Sequence, residues 1–219
     1  CNGGSLPGIQ QYIYEATYTL PANCPDWRFS YTLCCRNVAV TNSNNASSYN
    51  LYVEATLNNQ VVTCNSSPDF TVNPVPYICN GQPFSYNHGV VDVDGDSLSY
   101  TLIQPKHTAT SNVPYSGSFT STYPISTSPP NNFVFNPSTG QMTFTPGSTQ
   151  IGLVAIRVDE FRNGVKIGST IRDMQVIVIN CGTNSTPSMA NPINITGATY
   201  NTVTSTFKAC PGTPMSFQF

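Results

Sequence analysis

The sequence predicts an all-β chain of antiparallel β-sandwich domains stapled by disulfides. Strand-like alternation recurs along the chain, interrupted by 18 Pro and 15 Gly, and no segment has the periodicity of an amphipathic helix. Eight cysteines, two of them adjacent (Cys34 and Cys35), are typical of an extracellular chain whose thiols are paired. Only 8% of the residues are charged, against about 25% in ordinary soluble domains.

Charge and hydropathy argue against nucleic-acid binding and against a membrane-spanning helix. The formal net charge is −2 and the sequence pI is about 5.5, so the chain has no basic excess with which to neutralise nucleic-acid phosphates. No apolar run approaches the roughly 18 residues of a transmembrane helix. The numbering begins at Cys1 without Met, so we interpret the chain as a processed product or a fragment.

Residues 1–72 are predicted to form an N-terminal β-sandwich domain, either complete or lacking upstream strands. Its candidate strands are Ile9–Leu20, Trp27–Val40 and Tyr49–Leu57. In the first and third of these, apolar and polar residues alternate with period two, which would bury one face. The polar stretch Asn42–Ser48 is predicted to be a loop.

Residues 73–182 are predicted to form a second β-sandwich. Its clearest feature is a hairpin in which Leu153–Phe161 and Val165–Asn180 flank Asn163-Gly164, a pair that tolerates the positive φ angles of a two-residue turn. Shorter candidate strands precede it, namely Pro83–Tyr86, Leu98–Ile103, Phe133–Phe135 and Gln141–Phe144. The polar stretch Asn112–Asn132 forms either short irregular strands or a surface loop.

Residues 183–219 are predicted to be a linker and the first strands of a further repeat. The octapeptide Cys79-Asn-Gly-Gln-Pro-Phe-Ser-Tyr86 recurs as Cys210-Pro-Gly-Thr-Pro-Met-Ser-Phe217. We interpret Cys210 as the opening of another domain of the same kind, in an array of sheet domains. Either downstream residues complete that domain or another chain supplies strands to it.

The cysteines suggest a disulfide framework. Cys79 and Cys181 lie at the first and last strands of the second domain, and we predict that they are bonded, which would close a loop of about 100 residues. On a strand, Cys34 and Cys35 would point to opposite faces, so each is expected to have a different partner, drawn from Cys24 and Cys64. The zinc alternative lacks a C-x-x-C pair or two close histidines.

The densest carboxylate cluster is Asp92-Val-Asp94-Gly-Asp96. Three carboxylates so close repel one another unless a cation or solvent screens them, and Ca²⁺ takes six to eight oxygen ligands of this kind. Asp159 or Glu160 would complete a calcium site if the fold brings them near. The alternative is an acidic β-turn without an ion, since Asp and Gly are both favoured in turns.

Catalysis has little support in the sequence, and a carboxylate pair of the glycosidase kind is the one arrangement left open. The sequence has no G-x-S-x-G elbow, phosphate-binding glycine loop or H-E-x-x-H motif, and its two histidines, His88 and His107, lie far apart. We therefore predict no catalytic residues, and calcium is the one expected cofactor. Trp27 and the tyrosines could stack on sugar rings, so a carbohydrate-binding module is an alternative function.

Four segments carry a resemblance to known proteins. Asp92-Val-Asp-Gly-Asp-Ser-Leu-Ser-Tyr100 and Phe135-Asn-Pro-Ser-Thr-Gly-Gln-Met-Thr-Phe-Thr-Pro146 resemble bacterial Ig-like and cadherin-like domains. Cys24-Pro-Asp-Trp-Arg-Phe-Ser-Tyr-Thr-Leu-Cys-Cys-Arg-Asn37 and Glu160-Phe-Arg-Asn-Gly164 are similar to the gliding-motility-associated proteins of Bacteroidota, which are long, repetitive and exported by type IX secretion. The resemblance covers nearly all of residues 1–182.

The resemblance implies tandem Ig-like or cadherin-like sandwiches in an extracellular, cell-surface adhesin or filament. Its expected partners are neighbouring repeats, other copies of the chain, surface glycans or other cell-surface proteins, and self-assembly into an extracellular filament is a further alternative. Asp96-Ser97-Leu98 fits the O-glycan acceptor pattern of that phylum, with Ser97 as the attachment point.

Overall fold

A computed structural model describes residues 10–74, 77–182 and 190–218. Cys1, the start of the strand predicted from Ile9, residues 183–189 and Phe219 lie outside this part. The chain divides into two compact units, Cys1–Asn180 and Cys181–Phe219. None of the described residues belongs to a helix that is long and apolar enough to cross a membrane.

The described residues confirm the all-β prediction, since their regular structure is strand apart from one 3-10 turn at Ala46–Ser48. The strands are β1 (Trp27–Leu33), β2 (Leu51–Leu57), β3 (Asp69–Phe70), β4 (Tyr77–Cys79), β5 (Phe84–Tyr86), β6 (Val90–Val91), β7 (Ser97–Ile103), β8 (Phe133–Phe135), β9 (Met142–Phe144), β10 (Gln150–Arg162), β11 (Val165–Ile179), β12 (Ile193–Thr196), β13 (Ala198–Asn201), β14 (Thr206–Ala209) and β15 (Ser216–Gln218).

The first unit is organised around the β10–β11 hairpin. Its turn is Asn163-Gly164, as predicted, with φ angles of 52° and 78°. A six-stranded sheet grows from it in the order β1-β2-β11-β10-β7, and β4 pairs with β11 in parallel. A three-stranded sheet, β5-β9-β8, supplies the second layer, and the pair β3–β6 forms a small third sheet.

The main core lies between the large sheet and the three-stranded sheet. Tyr86, Met142 and Phe144 of the small sheet pack against Val154 of β10 and Val176 of β11. The predicted polar stretch 112–132 is an irregular loop, yet its Ile125 is fully buried in this core. Burial of each such side chain contributes about 1.5–3 kcal/mol, so this packing holds the two sheets together.

The predicted domain boundary at residue 72 does not separate two sheets. Leu57 of β2 pairs with Gly168 of β11, which places β1 and β2 in the same sheet as β10 and β7. The Arg36 guanidinium also makes a buried, two-pronged ion pair with Asp173 of β11, at 2.7 and 3.1 Å. Sequence alternation identifies strands but not their neighbours, and for this reason it divides one sheet between two predicted domains.

The strand predicted at Ile9–Leu20 is wrong for the described residues 10–20, which form no strand. Tyr12, Ile13 and Tyr18 are each at least two-thirds exposed. Tyr14 contacts the sheet through ring stacking on Tyr31, with centroids 5.1 Å apart. The alternating pattern gives this segment strand propensity, but a strand also needs a hydrogen-bonding neighbour.

The pairing of the cysteines near β1 differs from the prediction. Cys34 and Cys35 are bonded to each other, and Cys24 and Cys64 are free thiols. β1 ends at Leu33, so the alternation that would have sent the two adjacent side chains to opposite faces does not extend over them.

Cys79 and Cys181 are both disulfide-bonded, and their bond to each other stays a prediction. Digestion of the unreduced protein is expected to yield one linked peptide that contains both residues, and reduction should split it. Linkage of either cysteine to Cys24 or Cys64 instead would contradict the pairing.

Candidate metal centre

The turn between β6 and β7 brings two aspartates together. Asp and Gly favour such turns, and here Gly95 takes a φ of +79°, which a side chain would strain. The Asp96 amide donates to Oδ1 of Asp92 at 2.9 Å. The turn therefore holds the carboxylates of Asp92 and Asp96 next to each other.

Glu160 completes the cluster from β10. It pairs with Leu98 on one side and Gly168 on the other, and only 1% of its surface is exposed. A Cβ at position 168 would stand 2.8 Å from Oε2 of Glu160, so glycine there leaves room for the carboxylate. Alternation along β10 puts Glu160 on the same face as the buried Val158.

The three carboxylates of Asp92, Asp96 and Glu160 have ligand oxygens that all lie within 4.8 Å of one another. Oδ2 of Asp92 and Oε1 of Glu160 are buried and have no hydrogen-bond partner. Burial, with a contribution from the charge of Asp92, raises the pKa of Glu160 to about 7. A buried acceptor without a partner is costly, and a cation among these oxygens would remove that cost.

Arg162 occupies the outer side of the cluster. Its guanidinium donates to both oxygens of Asp96, at 2.6 and 2.8 Å, and lies 3.4 Å from Asp94. This contact lowers the pKa of Asp96. The same guanidinium donates to the Cys64 carbonyl and the Asn65 side chain, which fastens the segment after β2 to the site.

The structure brings together only part of the predicted calcium set. Asp92 and Asp96 are in the cluster, whereas Asp94 accepts the Ser66 amide at 2.6 Å and points toward Arg162. Asp159 follows the opposite face of β10 and forms ion pairs with Arg157 and Lys166, at 3.0 and 2.5 Å. Glu160, the predicted alternative to Asp159, is the third carboxylate of the cluster.

The donor set fits a hard divalent cation. Each of the three carboxylates supplies an oxygen of the hard kind that Ca²⁺ prefers, and no thiol or imidazole is among the ligands. Within residues 10–74, 77–182 and 190–218 this is the only group of three or more potential metal-ligating side chains. Sequence reasoning missed Gly168 and Arg162, whose roles depend on which strands are neighbours.

The other predicted features lie on the surface. Ser97 is exposed at the start of β7, beside the largely buried Asp96 side chain, so its hydroxyl is accessible for the predicted glycan. The Trp27 indole donates to the Ala22 carbonyl at 3.2 Å. An open groove of about 590 Å³, lined by rings of Tyr14, Phe29 and Tyr31, offers aromatic faces for the carbohydrate alternative.

His88 is a buried titratable group outside the cluster. It is fully buried, and neither ring nitrogen has a hydrogen-bond partner. Its ring packs edge-on against Tyr86, with centroids 4.9 Å apart, and against Phe70. Burial, and to a lesser extent the charge of Arg172, lowers the pKa of His88 to about 4.

This burial predicts an acid-sensitive fold. The unfolded chain takes up a proton on His88 near pH 6.5, whereas the folded protein resists it until about pH 4. Stability is therefore expected to fall as the pH drops from 6.5 to 4, by about 3 kcal/mol from this residue. Urea unfolding of wild type and His88→Leu at both pH values tests this, and an equal pH dependence in the two proteins would refute it.

No protein-family model, curated protein or solved structure matches this chain.

Proposed function

We propose that this chain is a structural segment of an extracellular cell-surface adhesin or filament, built from tandem Ig-like or cadherin-like sandwiches and stiffened by calcium. The observation that carries the proposal is the repeated octapeptide, because both copies adopt the same strand–turn–strand conformation. In the first copy the turn lies between β4, which ends at Cys79, and β5; in the second it lies between β14, which ends at Ala209, and β15. A module that opens the same way twice suits an extended array.

Two features suit such an array to bearing load. The long β10–β11 hairpin joins β1, β2, β4 and β7 into a single sheet, so force on one strand is shared by its neighbours. Ca²⁺ at Asp92, Asp96 and Glu160 would link the β6–β7 turn to β10, where Arg162 also holds the segment after β2. The calcium site thus joins three separate parts of the first unit.

The resemblance of the Cys-Cys-Arg-Asn and Asp-Gly-Asp segments to gliding-motility-associated proteins supports the proposed extracellular, cell-surface location. It points to type IX secretion and display at the cell surface. Low charge and abundant cysteine agree with a secreted chain.

Single-molecule pulling tests the load-bearing role. When the chain is stretched between its ends, the first unit is expected to unfold at higher force in millimolar Ca²⁺ than in chelator. The matched control is Glu160→Gln, which should show the low force in both solutions. Equal forces for wild type with and without Ca²⁺ would contradict the calcium-stiffened role.

A glycan array separates this role from a carbohydrate-binding module. A structural segment is expected to bind no glycan. Saturable binding that is lost in Tyr31→Ala would instead assign recognition to the aromatic groove and replace the proposal.

A further inference from the structure

β1 is an exposed edge strand of the largest sheet. It stands at one end of the order β1-β2-β11-β10-β7, and six of its seven residues are exposed. Within the described ranges, the backbone of Trp27–Leu33 is hydrogen-bonded to β2 alone. The segment of residues 10–20 contacts this strand through the Tyr14 ring, which stacks on Tyr31, and makes no backbone hydrogen bond to it. The outer backbone groups of β1 are therefore available to a further strand.

The opposite edge of the same sheet is protected. The Tyr100 amide of β7 donates to the Pro137 carbonyl at 2.8 Å, and within β7 only Ser97 and Thr101 are exposed. Proteins commonly cover an edge in this way, because its N–H and C=O groups would otherwise pair with another chain. The two ends of the sheet therefore differ, and β1 is the end at which a strand can add.

β1 also lacks the features that usually prevent edge pairing. Its sequence, Trp-Arg-Phe-Ser-Tyr-Thr-Leu, contains no Pro, Lys or Gly, and it pairs with β2 residue for residue without a bulge. Its one charge, Arg28, is paired with Glu54 of β2 at 2.7 Å. Aromatic side chains favour strands, and Phe29 and Tyr31 are 43% and 37% exposed. A regular, apolar and nearly neutral edge of this length is suited to strand addition.

We propose that β1 pairs antiparallel with β1 of a second copy of this chain, about a two-fold axis at Ser30. This register pairs all seven residues of the strand, and any other two-fold register pairs fewer. Phe29 of each copy then stands opposite Tyr31 of the other, and such aromatic cross-strand pairs stabilise a sheet. The strand is thus complementary to itself in both backbone and side chains.

The charges of β1 are compatible with this register. Arg28 of each copy stands opposite Thr32 of the other. The two Arg28 residues are four positions apart along the strands, about 14 Å, which exceeds the Debye length of about 8 Å in physiological salt. An axis at Arg28 itself would instead place the two guanidinium groups directly opposite each other, and like charges in that arrangement destabilise a strand pair.

The pairing closes on itself. A two-fold interface uses the same strand in both copies, so each β1 edge is consumed by the other. The far edge of each sheet, at β7, is already covered, so this contact stops at two copies. The inference goes beyond the proposed load-bearing role by naming a second copy as the partner of β1, and it does not depend on the calcium site.

Sedimentation equilibrium of the whole chain tests the interface. The thiols of Cys24, Cys64 and Cys210 are first alkylated so that intermolecular disulfides cannot imitate a dimer. Because a seven-residue strand pair is a small interface, we expect a reversible, concentration-dependent dimer of twice the 23.6 kDa chain mass. Hydrogen exchange should slow at every second amide of β1 as the dimer forms. A monomer at all concentrations, or a dimer without this protection, would overturn the proposal.

A charge swap at Thr32 tests the register. Thr32→Lys places a like charge opposite Arg28 of the second copy and is expected to weaken dimerisation by about tenfold or more. Thr32→Glu places an opposite charge there and should leave the dimer at least as tight as wild type. The net charge of −2 predicts the reverse order for non-specific association, since added Glu increases overall repulsion.

Unchanged circular dichroism of both variants verifies that they fold. Equal effects of the two substitutions, or a tighter dimer in Thr32→Lys, would refute the pairing at Ser30. Pulling measurements on single chains with and without Ca²⁺ do not involve this contact. The interface and the calcium-stiffened role can therefore fail separately.

Discussion

Replacing Arg36 with alanine is expected to lower the free energy of unfolding of the first unit by about 3–5 kcal/mol. The side chains of Arg36 and Asp173 are only 4% and 1% exposed, and the guanidinium also donates to the carbonyls of Asn50 and Lys106. Removing it leaves a buried carboxylate with no counter-charge. Denaturant unfolding followed by tryptophan fluorescence and circular dichroism measures the loss.

Two comparisons isolate the cause. Arg28→Ala removes an ion pair to Glu54 in which the arginine is 43% exposed and Lys106 still neutralises the carboxylate, so it should cost less than about 1 kcal/mol. The double variant Arg36→Met/Asp173→Leu should recover much of the loss, because no unpaired charge remains. If Arg36→Ala costs no more than Arg28→Ala, the buried pair does not hold the unit together.

The same variant tests whether residues 10–180 fold as one unit. Arg36 lies before the sequence-predicted boundary at residue 72, and Asp173 lies after it. We expect the first unit to unfold in one cooperative transition, and the whole transition should shift to lower denaturant concentration in Arg36→Ala. Two unfolding transitions, of which only one shifts in Arg36→Ala, would instead support two separate domains divided near residue 72.

Calcium is expected to stabilise the first unit by about 3 kcal/mol when its concentration is a hundredfold above the dissociation constant. Thermal unfolding of wild type in Ca²⁺ and in chelator measures this shift. Glu160→Gln should lose the shift, and in chelator it should be at least as stable as wild type because it removes a buried negative charge near Asp92. Asp159→Asn is the matched control, since Asp159 lies on the other face of β10 and should leave the shift intact.

The pH dependence of this stabilisation has a definite sign. Without metal, the folded-state pKa of Glu160 is raised from 4.5 to about 7, so its contribution to stability is lost as the pH rises through that range. Ca²⁺ should remove this loss and bind less tightly below pH 7, where Glu160 is protonated. His88 acts with the opposite sign between pH 4 and 6.5, so Glu160→Gln and His88→Leu are needed to separate the two.

The strands and turns that follow from preferences within a few residues are predictable from the sequence. The Asn163-Gly164 turn, the alternation of Tyr49–Leu57 and the Asp-Gly turn at Asp92–Asp96 each reflect a backbone preference that acts within a few residues. The carboxylate pair Asp92 and Asp96 is predictable for the same reason. Here the nearest neighbours in sequence are also the nearest neighbours in space.

The features that depend on distant contacts are not predictable in this way. The pairing of Leu57 with Gly168 merges two predicted domains, and nothing in either strand specifies the other. Gly168 and Arg162 matter to the metal centre only because β2, β10 and β11 are neighbours. The segment from residue 10 to 20 shows the converse, since its strong alternation finds no strand partner among the described residues.

Isothermal titration of Ca²⁺ into the whole chain at pH 7.4 tests whether Asp92, Asp96 and Glu160 form a calcium site within a structural module. We expect one site per chain, with the heat of binding abolished in Glu160→Gln and retained in Asp159→Asn. No heat in the wild type, or binding that survives Glu160→Gln but is lost in Asp159→Asn, would contradict it.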